Sequence, residues 1–220
     1  MIRFGIAGYG IVGKKRAEAL KKNKSAKLVA VCDRNFTSKF GHINKDIVFF
    51  QKYNDLINYD LDAIIICLTN DIAAEVTISC LKKNLHVFCE KPPATALNQL
   101  KKVIMIKKNK PNLKLKYGFN HRYHDSIIDA KKIIKSKKLG NIINLKGTYG
   151  KSKLITFDQS DWRTKRKIAG GGVLLDQGIH MVDLILSFLN EDIIKIHSFI
   201  SNNFWKHDVE DNVYTIFKSK

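Results

Sequence analysis

Short apolar runs alternate with amphipathic stretches through the first 120 residues. Residues 2–7, 28–33, 48–50, 63–68, 85–89 and 113–119 are brief, rich in Ile, Val, Leu and Phe, and read as strands. Between them, 11–22 (apolar at Ile11, Val12, Ala17 and Leu20), a short segment near 53–58, 72–83 (Ile72, Val76, Ile78, Leu81) and 96–108 carry helical spacing. Strands that are apolar throughout and separated by helices imply βαβ units, in which a parallel sheet is covered on both faces. The expected architecture is α/β: a doubly wound parallel sheet over 1–120.

The pattern changes after Asn120. Residues 123–137 predict a helix with Ile127, Ile128, Ala130, Ile133 and Ile134 on one face, closing near Gly140. An apolar segment at 142–149 and a polar loop follow, then Gly170-Gly171-Gly172 and a long helix from about 173 to 189. Segments 193–199 and 213–217 predict strands. The reading is a second, α+β domain over 121–220. Its few strands leave an open sheet edge, which calls for a partner chain or for further sequence beyond Lys220.

Composition narrows the classes. The 220 residues are 45% hydrophobic and 27% charged, enough to bury a core and too apolar for a disordered chain. No uninterrupted apolar run nears the roughly 18 residues of a membrane span, and residue 2 enters a strand without a leader-like stretch, so a cytoplasmic protein without membrane contacts is expected. Cys32, Cys67, Cys80 and Cys89 lack C-x-x-C spacing and sit in or beside apolar runs, as reduced core thiols do, and no metal site is expected. The net charge of +19 comes almost wholly from lysine; arginine is confined to positions 3, 16, 34, 122, 163 and 166. Lysines spread over helix faces, as in Lys14-Lys15-Arg16 and Lys131-Lys132, suit solvation. They do not suit base-specific nucleic-acid contacts, which favour arginine.

Three groups of residues carry chemistry. Gly8-Tyr9-Gly10-Ile11-Val12-Gly13 follows a strand and opens a helix, the context that a G-x-G-x-x-G match needs to bind a dinucleotide pyrophosphate at a helix N-terminus. This makes the first domain Rossmann-type. Asp33, ending the second strand, is placed for a ribose 2′-hydroxyl and so favours NAD, while Arg34 beside it leaves NADP as the alternative. Glu90-Lys91-Pro92 ends the fifth strand, where Lys91 faces the cofactor crevice as a proton-exchanging group, although a lysine before a turn is equally a surface residue. Asp176 and His180 lie four apart on the long helix, with Asp183 near the following turn. An aspartate so placed orients a histidine acid/base, although a lone histidine on such a helix is more often structural.

Taken together, Gly8–Gly13, Glu90-Lys91-Pro92 and the run Gly171-Gly172-Val-Leu-Leu-Asp176-Gln-Gly178-Ile-His180-Met-Val-Asp183 resemble the Gfo/Idh/MocA oxidoreductases. Asn120-His121-Arg122-Tyr123 and Trp162-Arg163 are also similar to family patterns. The resemblance implies that Lys91 is the catalytic lysine, that Asp176 and His180 act on the substrate hydroxyl, and that the Lys91–Pro92 bond is cis. It also implies a mostly antiparallel open C-terminal sheet, incomplete here, that forms a dimer or tetramer. Two departures stand out: family members normally carry a histidine soon after the segment that here reads Thr69-Asn70-Asp71-Ile72, and they are about half as long again. Expected cofactor contacts are Gly8, Gly10, Ile11, Val12, Gly13, Asp33, Arg34, Thr69, Asn70, Glu90, Lys91 and Pro92. Expected substrate contacts are Asn120, Arg122, Tyr123, His124, Trp162, Arg163, Asp176 and His180. The implied activity is NAD(P)-dependent hydride transfer at a secondary hydroxyl of a sugar, cyclitol or nucleotide-sugar; a dinucleotide-binding but catalytically silent regulator is the alternative.

Overall fold

A computed structural model describes residues 1–151 and 162–220. The chain divides into two compact units, Met1–Gly118 and Phe119–Lys220.

The first unit is built on a seven-stranded sheet in the order β3-β4-β2-β1-β5-β6-β7. Its strands are β1 (Ile2–Ala7), β2 (Ala26–Cys32), β3 (Phe40–Asn44), β4 (Ile47–Phe50), β5 (Ala63–Ile66), β6 (His86–Cys89) and β7 (Leu115–Tyr117). All pair in parallel except β3, which runs antiparallel to β4 at the edge. The crossing helices are α1 (Ile11–Lys21), α2 (Tyr53–Ile57), α3 (Asn70–Lys82) and α4 (Leu97–Lys108).

Strand alternation sends Ile64 and Ile66 into one core with Val76, Leu81 and Leu56. Ile65 joins Ile6, Leu28, Val31 and Ala17 in a second core on the opposite face. Each fully buried isoleucine contributes about 1.5–3 kcal/mol relative to exposure, which is why these strands are apolar throughout. All four cysteines are free, and Cys32, Cys80 and Cys89 are buried. Burial pushes each of these three thiols up to about 12, so they stay protonated as core residues. Burial also raises the Cys67 thiol.

The second unit holds a 3-10 turn (Asn120–Tyr123), α5 (Asp125–Lys135), a 3-10 turn (Trp162–Thr164), α6 (Arg166–Ala169), a π-helical turn (Leu174–Gly178), α7 (Ile179–Leu189) and the antiparallel pair β8 (Ile193–Ser201) and β9 (Asn212–Ser219). Part of the polar stretch expected before Gly170 lies outside the described residues. Residues 142–149 form no strand, so the second sheet is two-stranded among the described residues. The expected single long helix is instead broken by the π turn that carries Asp176, whose i→i+5 bonding widens the helix locally.

Residues Arg166–Leu189 form a helical stretch long and apolar enough, by length and composition alone, to cross a membrane. Within it, however, Asp183 is buried in an ion pair with Arg122 and His180 is 4% exposed among aromatic rings. These are the traits of a helix packed in a folded unit.

Candidate active site

In the first unit, the carboxyl ends of the central strands are stitched to one another. Gly8 donates its N–H to the Cys32 carbonyl (2.8 Å), Cys67 to Ala7 (2.7 Å), Glu90 to Ile66 (2.9 Å) and Gly118 to Cys89 (2.8 Å). The glycine turn, Asp33, Thr69 and Lys91 therefore share one edge of the sheet, where α/β ligands bind.

Each glycine of the turn answers a different constraint. Gly8 has φ +91°, and a Cβ there would lie 2.3 Å from the Cys67 carbonyl oxygen. A Cβ on Gly13 would lie 2.0 Å from the Gly8 carbonyl oxygen, so α1 can approach β1 only without one. Gly10, by contrast, faces open space with nothing within 4 Å. Helix geometry leaves the N–H groups of Ile11, Val12 and Gly13 without intrahelical acceptors, and the helix dipole adds a positive end beside the bare Gly10 backbone. Asp33 stands next to this turn, its Oδ2 accepting from the Tyr9 N–H (2.9 Å) and its Oδ1 from the Asn35 N–H (3.0 Å). Those bonds fix the carboxylate while leaving lone pairs for a ribose. The cradle thus fits a dinucleotide: an open backbone surface for the pyrophosphate and an oriented acceptor for the ribose. Arg34 beside it is exposed.

Across the same edge, Thr69 precedes α3 and Asn70, its first residue, is 8% exposed. Lys91 is half-buried, Pro92 is buried and the Lys91–Pro92 peptide is cis. Glu90 has a task that the sequence did not reveal: Arg16 of α1 donates Nε to its Oε1 (2.6 Å), and Arg16 also lies 5.3 Å from the Phe88 ring centre. The pair ties the phosphate-facing helix to the strand end that carries Lys91. Arg16 reads as solvated in its lysine-rich run; the one hint was an arginine where lysine is the rule.

In the second unit, the 3-10 turn and α7 meet. Arg122 donates Nε to Asp183 Oδ2 (2.7 Å) and Nη2 to Oδ1 (2.5 Å), a two-pronged pair. Asp183 holds the Arg122 guanidinium above its ordinary proton affinity. Arg122, expected as a substrate contact, is therefore engaged in holding the turn on the helix. His180 stacks on His121 with ring centres 4.1 Å apart and planes 17° from parallel. Phe119 packs edge-on against His180 at 6.2 Å, and Tyr149 stacks on His121 at 5.8 Å.

Asp176, on the π turn, accepts from Gln177 Nε2 (2.6 Å) and faces Arg163 Nε at 4.0 Å; the Arg163 guanidinium lies over the Trp162 ring at 4.4 Å. Asp176, His180, Trp162 and Arg163 are thus drawn onto one part of this unit. Asn120, Tyr123 and His124 are exposed around the turn, His124 lying 5.2 Å from His121 ring to ring. The close approach signalled by Gly170–Gly172 is to the 208–211 loop: a Cβ on Gly172 would sit 2.0 Å from the Glu210 carbonyl oxygen, and the Gly172 N–H donates to Glu210 Oε1 (2.7 Å). No group of three or more potential metal ligands occurs among the described residues.

Residues 2–119 match the family described as an oxidoreductase family with an NAD-binding Rossmann fold, and residues 127–220 match the Gfo/Idh/MocA C-terminal domain. This chain belongs to the Gfo/Idh/MocA family. Glucose-6-phosphate 3-dehydrogenase of Bacillus subtilis is 29% identical over 203 residues, which are 88% of this chain and 55% of that protein. Inositol 2-dehydrogenase of Salmonella typhimurium is 28% identical over 199 residues, 87% of this chain and 55% of that one. The chain spans about half the length of these curated relatives. The fold of levoglucosan dehydrogenase, in its complex with NADH and levoglucosan, superposes with a TM-score of 0.86 at 22% identity, covering 99% of this chain and 63% of that one. The Gfo/Idh/MocA resemblance drawn from the three motifs is borne out, as is the α/β architecture.

Proposed function

We propose that this Gfo/Idh/MocA chain is an NAD-dependent oxidoreductase acting on a secondary hydroxyl of a sugar, cyclitol or nucleotide-sugar. The observation that carries the reading is the union, on one sheet edge, of the Gly8–Gly13 cradle, the oriented Asp33 carboxylate and the Glu90-Lys91-Pro92 turn. The dinucleotide-binding relatives and their named substrates agree with it. Gly8, Gly10, Ile11, Val12 and Gly13 would hold the pyrophosphate, Asp33 with Arg34 the adenosine ribose, and Thr69, Asn70, Glu90, Lys91 and Pro92 the nicotinamide end. When bound, the nicotinamide supplies a carbon that accepts or returns hydride.

The chain's own residues handle the proton. Lys91 or His180 takes up or returns the hydroxyl proton, and Asp176 is the orienting carboxylate. Asn120, Tyr123, His124, Trp162 and Arg163 line the substrate side, with Arg122 acting through Asp183 to hold the turn. In the same reading the protein is cytoplasmic, and its C-terminal unit forms a dimer or tetramer, which light scattering on the purified chain checks.

Two assays test the proposal together: fluorescence titration with NADH, and a screen for NAD reduction by cyclitols, hexoses, sugar phosphates and nucleotide-sugars. Binding with turnover supports it. Binding without turnover across the screen assigns the chain to a silent dinucleotide-binding regulator instead.

A further inference from the structure

We propose that His121 is a positioning residue for His180, which by stacking on the buried ring keeps that imidazole neutral and ready to accept a proton. The inference rests on the acid/base role of His180 given above. The two rings lie nearly parallel with centres 4.1 Å apart. Two imidazolium ions in face contact repel, so the pair titrates as a unit and binds its second proton much more weakly than its first. The first proton goes to His121: this ring is half-buried on an exposed turn, whereas His180 is 4% exposed and charging it costs more solvation. Once charged, His121 opposes protonation of His180 and extends downward the pH range in which His180 acts as a base.

Among the described residues, the charged groups near the pair are themselves paired. From the 3-10 turn, Arg122 is matched by Asp183 on α7. From the π turn, Asp176 faces Arg163. Each arginine–aspartate pair cancels to first order. Tyr149 stacks on His121 at 5.8 Å. His124 is exposed and sits 5.2 Å from the His121 ring. The face-to-face neighbour of His180 is thus itself an imidazole.

The test is an NMR titration of the histidine rings in the full chain, comparing wild type with His121→Phe, which keeps a flat ring in the stack, and His121→Gln, which keeps polarity. The His180 midpoint should rise by about one pH unit in both variants, a tenfold gain in proton affinity. The acidic limb of the kcat/KM profile should move up with it. An unchanged or lowered His180 midpoint in both variants overturns the proposal. The titration needs no turnover, so a chain whose rings are coupled but which oxidises no polyol counts against the proposed function and leaves the coupling standing.

Discussion

Gly10 and Gly13 are three positions apart in the usual spacing, yet their surroundings differ sharply. A methyl group on Gly13 meets a backbone carbonyl oxygen at 2.0 Å, whereas one on Gly10 meets nothing within 4 Å. Gly13→Ala should therefore cost about 2–3 kcal/mol of stability through overpacking. Gly10→Ala should leave the melting temperature near wild type but weaken NADH binding at least tenfold, because the methyl occupies the pyrophosphate's approach. Thermal melts beside fluorescence titrations separate the two effects. If Gly10→Ala binds NADH normally, the cofactor does not lie on that backbone.

The thiols give a second check at this scale. With Cys32, Cys80 and Cys89 pushed up to about 12 by burial, and Cys67 raised as well, the folded chain should resist alkylation at about pH 8 and react at all four positions once denatured. The placement of the glycine turn, Asp33 and the cysteines was legible because each follows from a local backbone or burial demand. Arg16, Asp183 and Glu210 were not, because their partners lie 74, 61 and 38 residues away in sequence.

Elements were read best where burial enforced a pattern. β1, β2, β5 and β6 are covered on both faces, and their apolar runs announce them. β3 escaped notice because it is an antiparallel edge strand whose residues, Phe40-Gly-His-Ile-Asn44, are mostly exposed and alternate weakly. Its signal lay in the turn, where the Asn44 side chain accepts from the Asp46 and Ile47 N–H groups. The π turn was invisible for another reason: over one turn, its period departs from that of an α-helix by less than a residue. Residues 142–149 have strand-like composition, but a strand exists only with a paired neighbour, which composition cannot report.

The Arg122–Asp183 pair joins the 3-10 turn to α7 and fixes where His121 meets His180. The Asp183 side chain is 9% exposed, so Arg122→Met leaves a carboxylate in a poorly solvated place. The expected loss is about 2–4 kcal/mol, somewhat less than for a fully buried pair because Arg122 is partly solvated. Urea denaturation measures it, and a loss below about 0.5 kcal/mol would show that the pair is a surface ornament.

For the whole molecule, the charge of +19 is the property most easily misread. Lysines dominate it, and those on α1, α4 and α5 lie mainly on exposed positions. Any binding to DNA should be independent of sequence and disappear by about 0.2 M salt, as counterion release requires. NADH affinity should change far less over that range. A sequence-specific, salt-resistant complex would reopen a nucleic-acid role.

Both units match domains of one oxidoreductase family, and we propose that Lys91 belongs to the proton-transferring machinery of a dehydrogenase. The most direct measurement compares wild type with Lys91→Ala for NADH affinity and for NAD reduction on the best polyol found. NADH affinity should stay within about twofold while kcat falls by roughly 10²–10⁴, the range for losing a positioned acid/base group. Turnover by Lys91→Ala at the wild-type rate would exclude Lys91 from the proton transfer.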